Sequence, residues 1–159
     1  MKIGANEEYG MRCLVRLAYA GYTGESLTIP EISEAEGVSP AYAAKILRAL
    51  RKGGFVKAAR GKDGGYTLAR PAESIVIGDV MDALGGRIFE SSFCDSHSGQ
   101  AAICTRSVDC SVRSLWRAVQ VAVDQVLSTA TLRDLLQNEE EMNTWVRTIP
   151  GAKGLHVIQ

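Results

Sequence analysis

Two short predicted helices joined by a glycine turn constrain the fold of this chain more than any other feature. The second helix is predicted to begin at Ser39-Pro40, because serine caps free amides and proline at the first position sacrifices no intrahelical hydrogen bond. Its apolar stripe consists of Ala43, Ile46, Leu47 and Leu50. The first helix begins at Thr28, which has capping-box spacing to Glu31, and ends at Gly37. Because the second helix also carries many Lys and Arg residues, the pair is predicted to form a helix-turn-helix.

A β-hairpin is predicted directly after the second helix. Strands are expected over Phe55–Ala59 and Tyr66–Ala69, and the segment Arg60–Gly65 between them contains residues that tolerate turn geometry. A basic hairpin at this place is the wing of a winged helix. With a further amphipathic helix over Glu7–Ala20, the sequence predicts a mainly α fold with a small β-hairpin wing. Residues 1–85 are expected to form a winged helix-turn-helix DNA-binding domain.

The distribution of charge favours a nucleic-acid partner, although the chain has no net charge. Residues 1–70 hold eleven Lys and Arg against seven Asp and Glu, whereas residues 71–159 hold seven against eleven. Between residues 45 and 70, eight Lys and Arg residues face only Asp63. A local cationic field is enough for binding phosphates, because such contacts act over short, screened distances. Double-stranded DNA is therefore the expected partner.

The second half of the chain is predicted to carry a sensor loop and a dimer interface. Residues 86–109 form a long polar loop, and such loops are usually functional or disordered; the cysteine-containing region is taken as residues 86–110. An amphipathic helix then covers Ser111–Leu127. Its apolar stripe, which is larger than a small N-terminal domain needs, consists of Val112, Leu115, Trp116, Val119, Val123, Val126 and Leu127. A homodimer is the natural interpretation, with residues 111–144 as the dimerisation region. Another short helix is expected over Thr131–Met142, and residues 145–159 are a tail without a clear pattern, a candidate for disorder.

Three of the four cysteines have the spacing and setting of a metal site. Cys13 lies among apolar residues of the helix predicted over Glu7–Ala20 and is expected in the core. Cys94, Cys104 and Cys110 cluster in the polar loop, separated by nine and five residues. Thiolates are soft ligands that favour iron–sulphur clusters, zinc or copper(I). A cytoplasmic location would disfavour structural disulfides.

Location and enzymatic activity are constrained by missing signals. The longest apolar runs are far shorter than the roughly 20 residues needed to cross a bilayer, and the N-terminal residues MKIGANEEYG lack the apolar core of a signal peptide. We therefore expect a cytoplasmic protein without membrane contact. Phosphate loops, nucleophile elbows and His-rich metal motifs are also absent from the sequence, so an enzyme is not expected.

Several motifs together resemble one known family. They occur in order as Tyr9-Gly10, Ser39-Pro-Ala-Tyr42, Leu47-Arg-Ala-Leu-Arg-Lys-Gly-Gly54, Val56-Lys-Ala-Ala-Arg-Gly-Lys-Asp-Gly-Gly-Tyr-Thr-Leu-Ala-Arg-Pro71 and Ile77-Gly-Asp-Val80. This order resembles the Rrf-two family of winged-helix transcription regulators, which includes regulators that respond to iron–sulphur supply, nitric oxide and iron. The resemblance runs from Met1 to about Leu136. Its most specific part is the wing, from Arg60 to Tyr66.

The resemblance implies a set of DNA contacts. Tyr42 and its neighbours would enter the major groove, and Arg60 the adjacent minor groove, where negative potential attracts arginine. The predicted DNA-binding residues are Ser39, Ala41, Tyr42, Lys45, Arg48, Arg60, Lys62 and Tyr66. The alternative role of Tyr42 is helix packing. Where some relatives carry an acidic base-reading residue this chain has Ala44, and the following Lys45 can donate to guanine. The operator, expected to be a palindrome, therefore cannot be inferred from the operators of those relatives.

The resemblance also implies an iron–sulphur cluster, with two or four irons, held by Cys94, Cys104 and Cys110. In some relatives a carboxylate at position eight, from the partner subunit, is the fourth ligand, and here that residue is Glu8; its alternative role is to stabilise the first helical turn. His97 is the second choice, since relatives that use histidine have it where this chain has Arg113. The gap between the first two cysteines is also longer than is usual among those relatives. Holding or losing the cluster would change the spacing or tilt of the two recognition helices.

Three other functions fit parts of the sequence. A metal-free thiol switch could oxidise Cys104 and Cys110 to a disulfide and move the same loop. A structural zinc site would use the same three cysteines. An electron-carrying iron–sulphur protein is disfavoured, because the winged-helix pattern would then have no purpose.

Overall fold

Helices and one β-hairpin make up the part of the chain that the structure describes. The computed structural model describes residues 3–59, 61, 64–87, 89, 93–101 and 103–149. Its helices are α1 (Ala5–Tyr22), α2 (Ile29–Glu36), α3 (Pro40–Lys52), α4 (Ile77–Leu84), α5 (Phe93–Ser96), α6 (Ser111–Leu127) and α7 (Glu139–Val146). Strands β1 (Val56–Ala59) and β2 (Gly65–Leu68) are antiparallel, and short 3-10 turns cover Ala72–Ser74 and Asp134–Leu136. The predicted mainly α fold with a hairpin wing is confirmed. Within the described residues, no helix is both long and apolar enough to cross a bilayer.

The helix-turn-helix forms at the predicted residues because both helices are capped by side chains. Thr28 accepts a hydrogen bond from the Glu31 backbone, and Glu31 accepts one from the Thr28 backbone at 2.7 Å, so the predicted capping box is present. The bonds that the Thr28 backbone N–H and then the Thr28 hydroxyl donate to the Glu31 carboxylate hold the pKa of this carboxyl below its ordinary value. Gly37 ends α2 with φ of 66°, a conformation that side chains rarely adopt. Ser39 then caps α3 by accepting a bond from the Tyr42 backbone at 3.2 Å.

A buried carboxylate fixes α2 against α1. The side chain of Glu36 is only 5% exposed, and it accepts hydrogen bonds from Nε of Arg12 and Nε of Arg16, each at 2.9 Å. Both arginines are about half exposed, so water screens part of the attraction. Hydrogen bonds to charged groups contribute about 1.5–3 kcal/mol each to stability. Because water screens these two bonds, each contributes at or below the lower value of that range. The clamp places α2, and therefore the turn into α3, relative to α1.

The hydrophobic core contains residues from both halves of the chain. The large side chains that are almost completely buried are Leu14, Leu17, Ile32, Ile46, Leu47, Leu50, Val56, Ile75, Val80 and Leu132. Burying a side chain of this size contributes about 1.5–3 kcal/mol. The segment after α6 returns to the N-terminal half, where Leu132 N–H bonds to the Ile75 carbonyl at 2.8 Å and Ile77 N–H to the Ala130 carbonyl at 2.9 Å.

This return of the chain differs from the helix expected over Thr131–Met142. Thr131 pairs with Val76 in an isolated bridge, and its backbone N–H and hydroxyl both donate to Asp134. A helix begins only after Asn138, which forms a second capping box with Glu141. Helix α7 therefore extends into the segment from residue 145 that was expected to form a tail. Residues 150–159 lie outside the described residues.

The base of the hairpin is held by a third segment. The register pairs Val56 with Leu68 and Ala59 with Gly65. Leu27 and Tyr66 exchange backbone hydrogen bonds of 2.7 and 3.0 Å, which ties the hairpin to the segment before α2. Strand β1 begins one residue later than predicted, and β2 begins and ends one residue earlier than predicted.

Helix α6 has the predicted bounds, Ser111–Leu127, but packs little of its surface. Gln120 is its one buried side chain. The exposed apolar side chains on it are Val112, Leu115, Trp116, Val121 and Val126, with exposures between 37% and 57%. Val112, Leu115, Trp116 and Val126 recur at helical spacing on one side, and Val121 lies on the opposite side, so within the described residues this helix presents a four-residue apolar face to water.

Candidate DNA interface and cysteine cavity

Helix α3 has one buried face and one cationic face. Ala43, Ile46, Leu47 and Leu50 are buried in the core. Ser39, Ala41, Lys45 and Arg48, four of the predicted DNA-binding residues, are exposed, and so are Arg51 and Lys52 in the last turn. The buried face fixes the helix, so that the cationic face is presented to solvent with little freedom to rotate.

Tyr42 is held by contacts within the chain. It is half-buried, and its hydroxyl donates to Oδ1 of Asn6 at 3.0 Å. Its ring meets the Tyr9 ring edge to face at 5.9 Å, and Nζ of Lys45 lies 6.0 Å from its centre. The packing role that the sequence left open is therefore present here. A DNA contact by the Tyr42 hydroxyl remains a prediction, and it would have to compete with Asn6.

The wing is described only in part. Tyr66 is half-buried and makes the backbone bridge to Leu27, so it anchors the base of the hairpin. Arg60 and Lys62, the predicted minor-groove and phosphate contacts, lie outside the described residues. Their roles remain predictions.

The three loop cysteines line one cavity. Cys94 lies in α5, Cys110 is the N-cap of α6, and Cys104 lies in the loop between them. All three thiols are free and partly buried, and the cavity that they share has a volume of about 240 Å³. Cysteines as many as sixteen positions apart in the sequence thus line the same cavity.

Arginine side chains give this cavity a positive environment. Arg106, Arg113 and Arg117 line it, and among the described residues Asp95 is the one acidic residue beside them. The sulphur of Cys110 accepts a hydrogen bond from the Arg113 backbone at 3.4 Å, so it sits at the positive end of α6. The Arg113 guanidinium donates to the Ser107 carbonyl at 3.0 Å. Helix N-termini and arginine side chains attract negative charge, so the cavity is a favourable place for an anionic group.

Neither predicted fourth ligand lines the cavity. Glu8 is exposed on the first turn of α1. His97 stacks on the Phe93 ring at 4.0 Å, and its Nδ1 lies 2.8 Å from the Phe93 carbonyl. In the residues described, no three His, Cys, Asp or Glu side chains are close enough to one another to hold a metal ion. The donor chemistry of the cavity thus fits an iron–sulphur cluster, but the thiols would have to move closer to bind it.

Cys13 is in the core, as predicted. It is fully buried, and burial, reinforced by the nearby Glu36 carboxylate, raises the pKa of its thiol to about 11. Metal ligation requires the thiolate, so Cys13 is a poor ligand.

A polar contact that the sequence analysis missed fixes the start of the loop to α6. Phe89 N–H donates to Oε1 of Gln120 at 2.8 Å, and Nε2 of Gln120 donates to Asp124 at 2.7 Å. Asp124 also pairs with Arg87. Phe89 in turn lines the cysteine cavity. The one available signal was a glutamine beside the apolar stripe of a helix, which is too common to identify a contact.

A capped helix-turn-helix with an exposed cationic face and a following hairpin defines a winged-helix DNA-binding protein. Residues 3–138 match the family described as "Rrf2: Iron-dependent Transcriptional regulator", and the chain belongs to this family. It is 34% identical to Protein rrf2 of Nitratidesulfovibrio vulgaris over 87% of this chain and 89% of that one. It is 33% identical to the HTH-type transcriptional regulator IscR of Cereibacter sphaeroides, again over 87% and 89%. The oxidised form of Staphylococcus aureus CymR has a similar structure, with a TM-score of 0.66 and 28% identity, over 87% of this chain and 98% of that one. Members of the family are DNA-binding transcription regulators and not enzymes, so the predicted class is confirmed.

A double-mutant cycle tests whether Tyr42 is held by Asn6. We expect Tyr42→Phe and Asn6→Ala each to lower the free energy of unfolding by about 1 kcal/mol, with a coupling of about 0.5–1 kcal/mol because the two changes remove the same hydrogen bond. Urea unfolding followed by circular dichroism measures both. Tyr9→Phe is the matched control, expected within about 0.5 kcal/mol of wild type. Strict additivity of the two changes would contradict the contact.

Proposed function

We propose that this regulator acts as a homodimer that binds a palindromic operator through α3 and the wing, with an affinity controlled by an iron–sulphur cluster at the cysteine cavity. The observation that carries the sensing part is the meeting of Cys94, Cys104 and Cys110 at one arginine-lined cavity. DNA binding itself is a property of the family. The proposal adds three points: the residues that contact DNA, the homodimer, and the iron–sulphur cluster.

The proposed DNA surface comprises the exposed residues of α3 and the wing. Lys45 and Arg48 are exposed on α3 while the opposite face of the helix is buried, so both are available for phosphates or base edges. Arg60 and Lys62 extend the proposal to the wing on the strength of the sequence resemblance. Ser39, Ala41, Tyr42 and Tyr66 complete the set, with Tyr42 and Tyr66 mainly positioning the two elements.

Substituting the cationic residues tests this surface. Each of Lys45→Ala and Arg48→Ala should lower the dependence of log affinity on log salt by about 1 where the residue contacts a phosphate, or cost about 1–3 kcal/mol where it contacts a base. Arg60→Ala should weaken binding without unfolding the protein. Fluorescence anisotropy with a duplex selected from a random pool measures the affinity across a salt series. Arg147→Ala, an exposed arginine at the end of α7, is the control. Unchanged affinity in all three variants would contradict the proposed surface.

The exposed apolar face of α6 supports the homodimer. Leu115 and Trp116 are 57% and 42% exposed in the single chain, and a contiguous apolar patch of this kind usually marks an interface. A second copy of the same helix offers an equally apolar face, as a two-fold interface requires. Two recognition helices related in this way would read half-sites about 34–36 Å apart.

A charge placed on this face tests the dimer. Leu115→Glu should weaken dimerisation by about 2 kcal/mol or more, roughly thirty-fold in Kd, because the carboxylate would be buried without a partner. Size-exclusion chromatography with light scattering, over a dilution series, measures the mass. Gln125→Glu adds the same charge to another exposed position of α6 and should leave the mass unchanged. A Leu115→Glu variant that stays dimeric at all concentrations would contradict this interface.

The proposed ligands are Cys94, Cys104 and Cys110, with Glu8 of the partner subunit as the fourth ligand and His97 as the second choice. Three thiolates and a sulphide-containing cluster concentrate negative charge, which the arginines around the cavity would offset. The family description names iron, and IscR is among the similar proteins. When bound, a cluster supplies a group whose charge and ligation respond to redox state, nitric oxide or iron supply.

Contacts within this chain would carry a change at the cavity to the dimer helix. Cys110 caps α6, and Gln120 of the same helix holds Phe89 at the start of the loop. Movement of the thiols towards a common ligand would therefore act on two points of α6. Because the proposed dimer face lies on that helix, the spacing of the two α3 helices would follow.

A metal-free thiol switch is the second candidate. All three loop thiols are free and share one cavity, and an oxidised form of a similar protein, CymR, has been crystallised. A disulfide between Cys104 and Cys110 would form on loss of two electrons and two protons to an oxidant, and would displace the same loop.

Purification without oxygen separates these candidates. The wild-type protein should be brown and contain iron and acid-labile sulphide in matched amounts, and C94A/C104A/C110A should be colourless. Cys13→Ala, which removes the buried thiol outside the cavity, should retain the iron. A colourless wild-type protein that loses DNA affinity on oxidation would favour the thiol switch, and one containing zinc would favour a structural metal site. A triple variant that binds the operator like wild type under all conditions would contradict any sensing role of the cysteines.

A further inference from the structure

A second cavity, separate from the cysteines, lies between the hairpin and the C-terminal end of α1. It has a volume of about 400 Å³ and is bounded by the two strands, the end of α1 and the segment that follows β2. It shares no lining residue with the cysteine cavity. Its volume is within the range of small-molecule sites, roughly 300–1,000 Å³.

Charges of both signs face this cavity. Lys57 and Arg70 line it, and so do Glu25 and Glu73. Glu73 already lies 4.0 Å from Arg133. Among the described residues, neither Lys57 nor the Glu25 carboxylate has an ion pair. One cation and one carboxylate are thus available on the cavity wall.

Arg70 adds a buried donor that lacks an acceptor. Its Nε is inaccessible to water and has no hydrogen-bond partner within the described part of the chain, while its guanidinium lies 5.1 Å from the centre of the Phe55 ring. An unsatisfied buried donor costs about 1–3 kcal/mol, and such groups are rare enough in folded proteins to need an explanation. Because this Nε is closed to a water-sized molecule, a ligand in the cavity cannot reach it, and the hydrogen bonds from Arg70 to a ligand would come from its terminal guanidinium nitrogens.

Apolar side chains form another part of the cavity wall. Ala18, Leu68 and Leu136 contribute side chains from α1, β2 and the 3-10 turn before α7. Small-molecule sites typically combine such apolar walls with a few placed polar groups.

We propose that this cavity binds a free α-amino acid with an apolar side chain. The ligand carboxylate would accept from the terminal guanidinium nitrogens of Arg70 and from Lys57, its ammonium group would donate to Glu25, and its side chain would lie against the apolar wall. A ligand with only a carboxylate would leave Glu25 unpaired, and a ligand with only an amine would leave Lys57 unpaired. Because Lys57 pairs with Thr67 across the hairpin, the ligand would link both strands to the end of α1. This site does not depend on the cysteines, the dimer or the DNA contacts.

Thermal unfolding of the full chain with free amino acids tests the proposal. The probes are valine, leucine, methionine and phenylalanine, each beside its deaminated acid and its decarboxylated amine. At least one amino acid, at about one hundred times its Kd, should raise Tm by about 5–10 °C in a chain of this size. Its acid and amine analogues should each bind at least about ten-fold more weakly by titration calorimetry, because each lacks one charged group. No shift with any probe, or equal binding of the acid analogue, would overturn the proposal.

Substitutions at two exposed residues test the location of the site and should leave the protein folded. Lys57→Gln and Glu25→Gln should each weaken amino-acid binding about ten-fold, whereas Arg147→Gln, away from the cavity, should not. Binding that is unchanged in both variants would overturn the assignment. So would a Lys57→Gln variant that loses DNA affinity while no amino acid binds, because the cations would then serve DNA phosphates. The cysteine and α6 variants described above should bind the amino acid normally, so that failure of the proposed regulator and failure of this site are distinguishable.

Discussion

The apolar face of α6 is the constraint on which the proposed regulator depends. Within the described residues this helix buries one side chain, Gln120, and leaves Leu115 and Trp116 about half exposed. Each square ångström of apolar surface removed from water contributes about 25 cal/mol, so covering the face is strongly favourable. In the proposed dimer, the packing of α6 against its copy also sets the distance between the two α3 helices, and that distance decides which DNA half-sites can be bound together.

The cysteine cavity and this face meet on the same helix. Cys110 caps the N-terminus of α6, and Gln120 binds the backbone of Phe89 about three turns further along. The loop is therefore attached to α6 at both of its ends, and in the proposed mechanism a movement of the thiols towards one another would pull on these attachments. In the proposed dimer, a local change of ligation would become a rigid movement of α6, because packed helices shift as units more easily than they deform.

Local rules explain which features the sequence could predict. The caps of α2 and α3 depend on residues three positions apart, and the bounds of α6 follow from its periodicity, so all were predictable. Glu36 and its arginines are twenty or more positions apart, and Leu132 enters a core formed mostly by the first half of the chain. Periodicity shows which face of a helix is buried but not what it meets. For the same reason the three cysteines were recognisable by type, whereas the arginines around them and the Gln120 contact were not.

Contacts already made by the two candidate fourth ligands favour Glu8 over His97. His97 would have to leave the Phe93 ring and carbonyl to reach a metal, which forfeits an aromatic contact of about 0.5–1.5 kcal/mol. Glu8 is exposed on the first turn of α1, two residues after Asn6, which holds the Tyr42 hydroxyl of α3. Ligation by Glu8 of the partner subunit would therefore act on the helical turn that positions its recognition helix. The cluster of one protomer would then affect the DNA contacts of the other protomer through the first turn of α1, in addition to any effect through the tilt of α6.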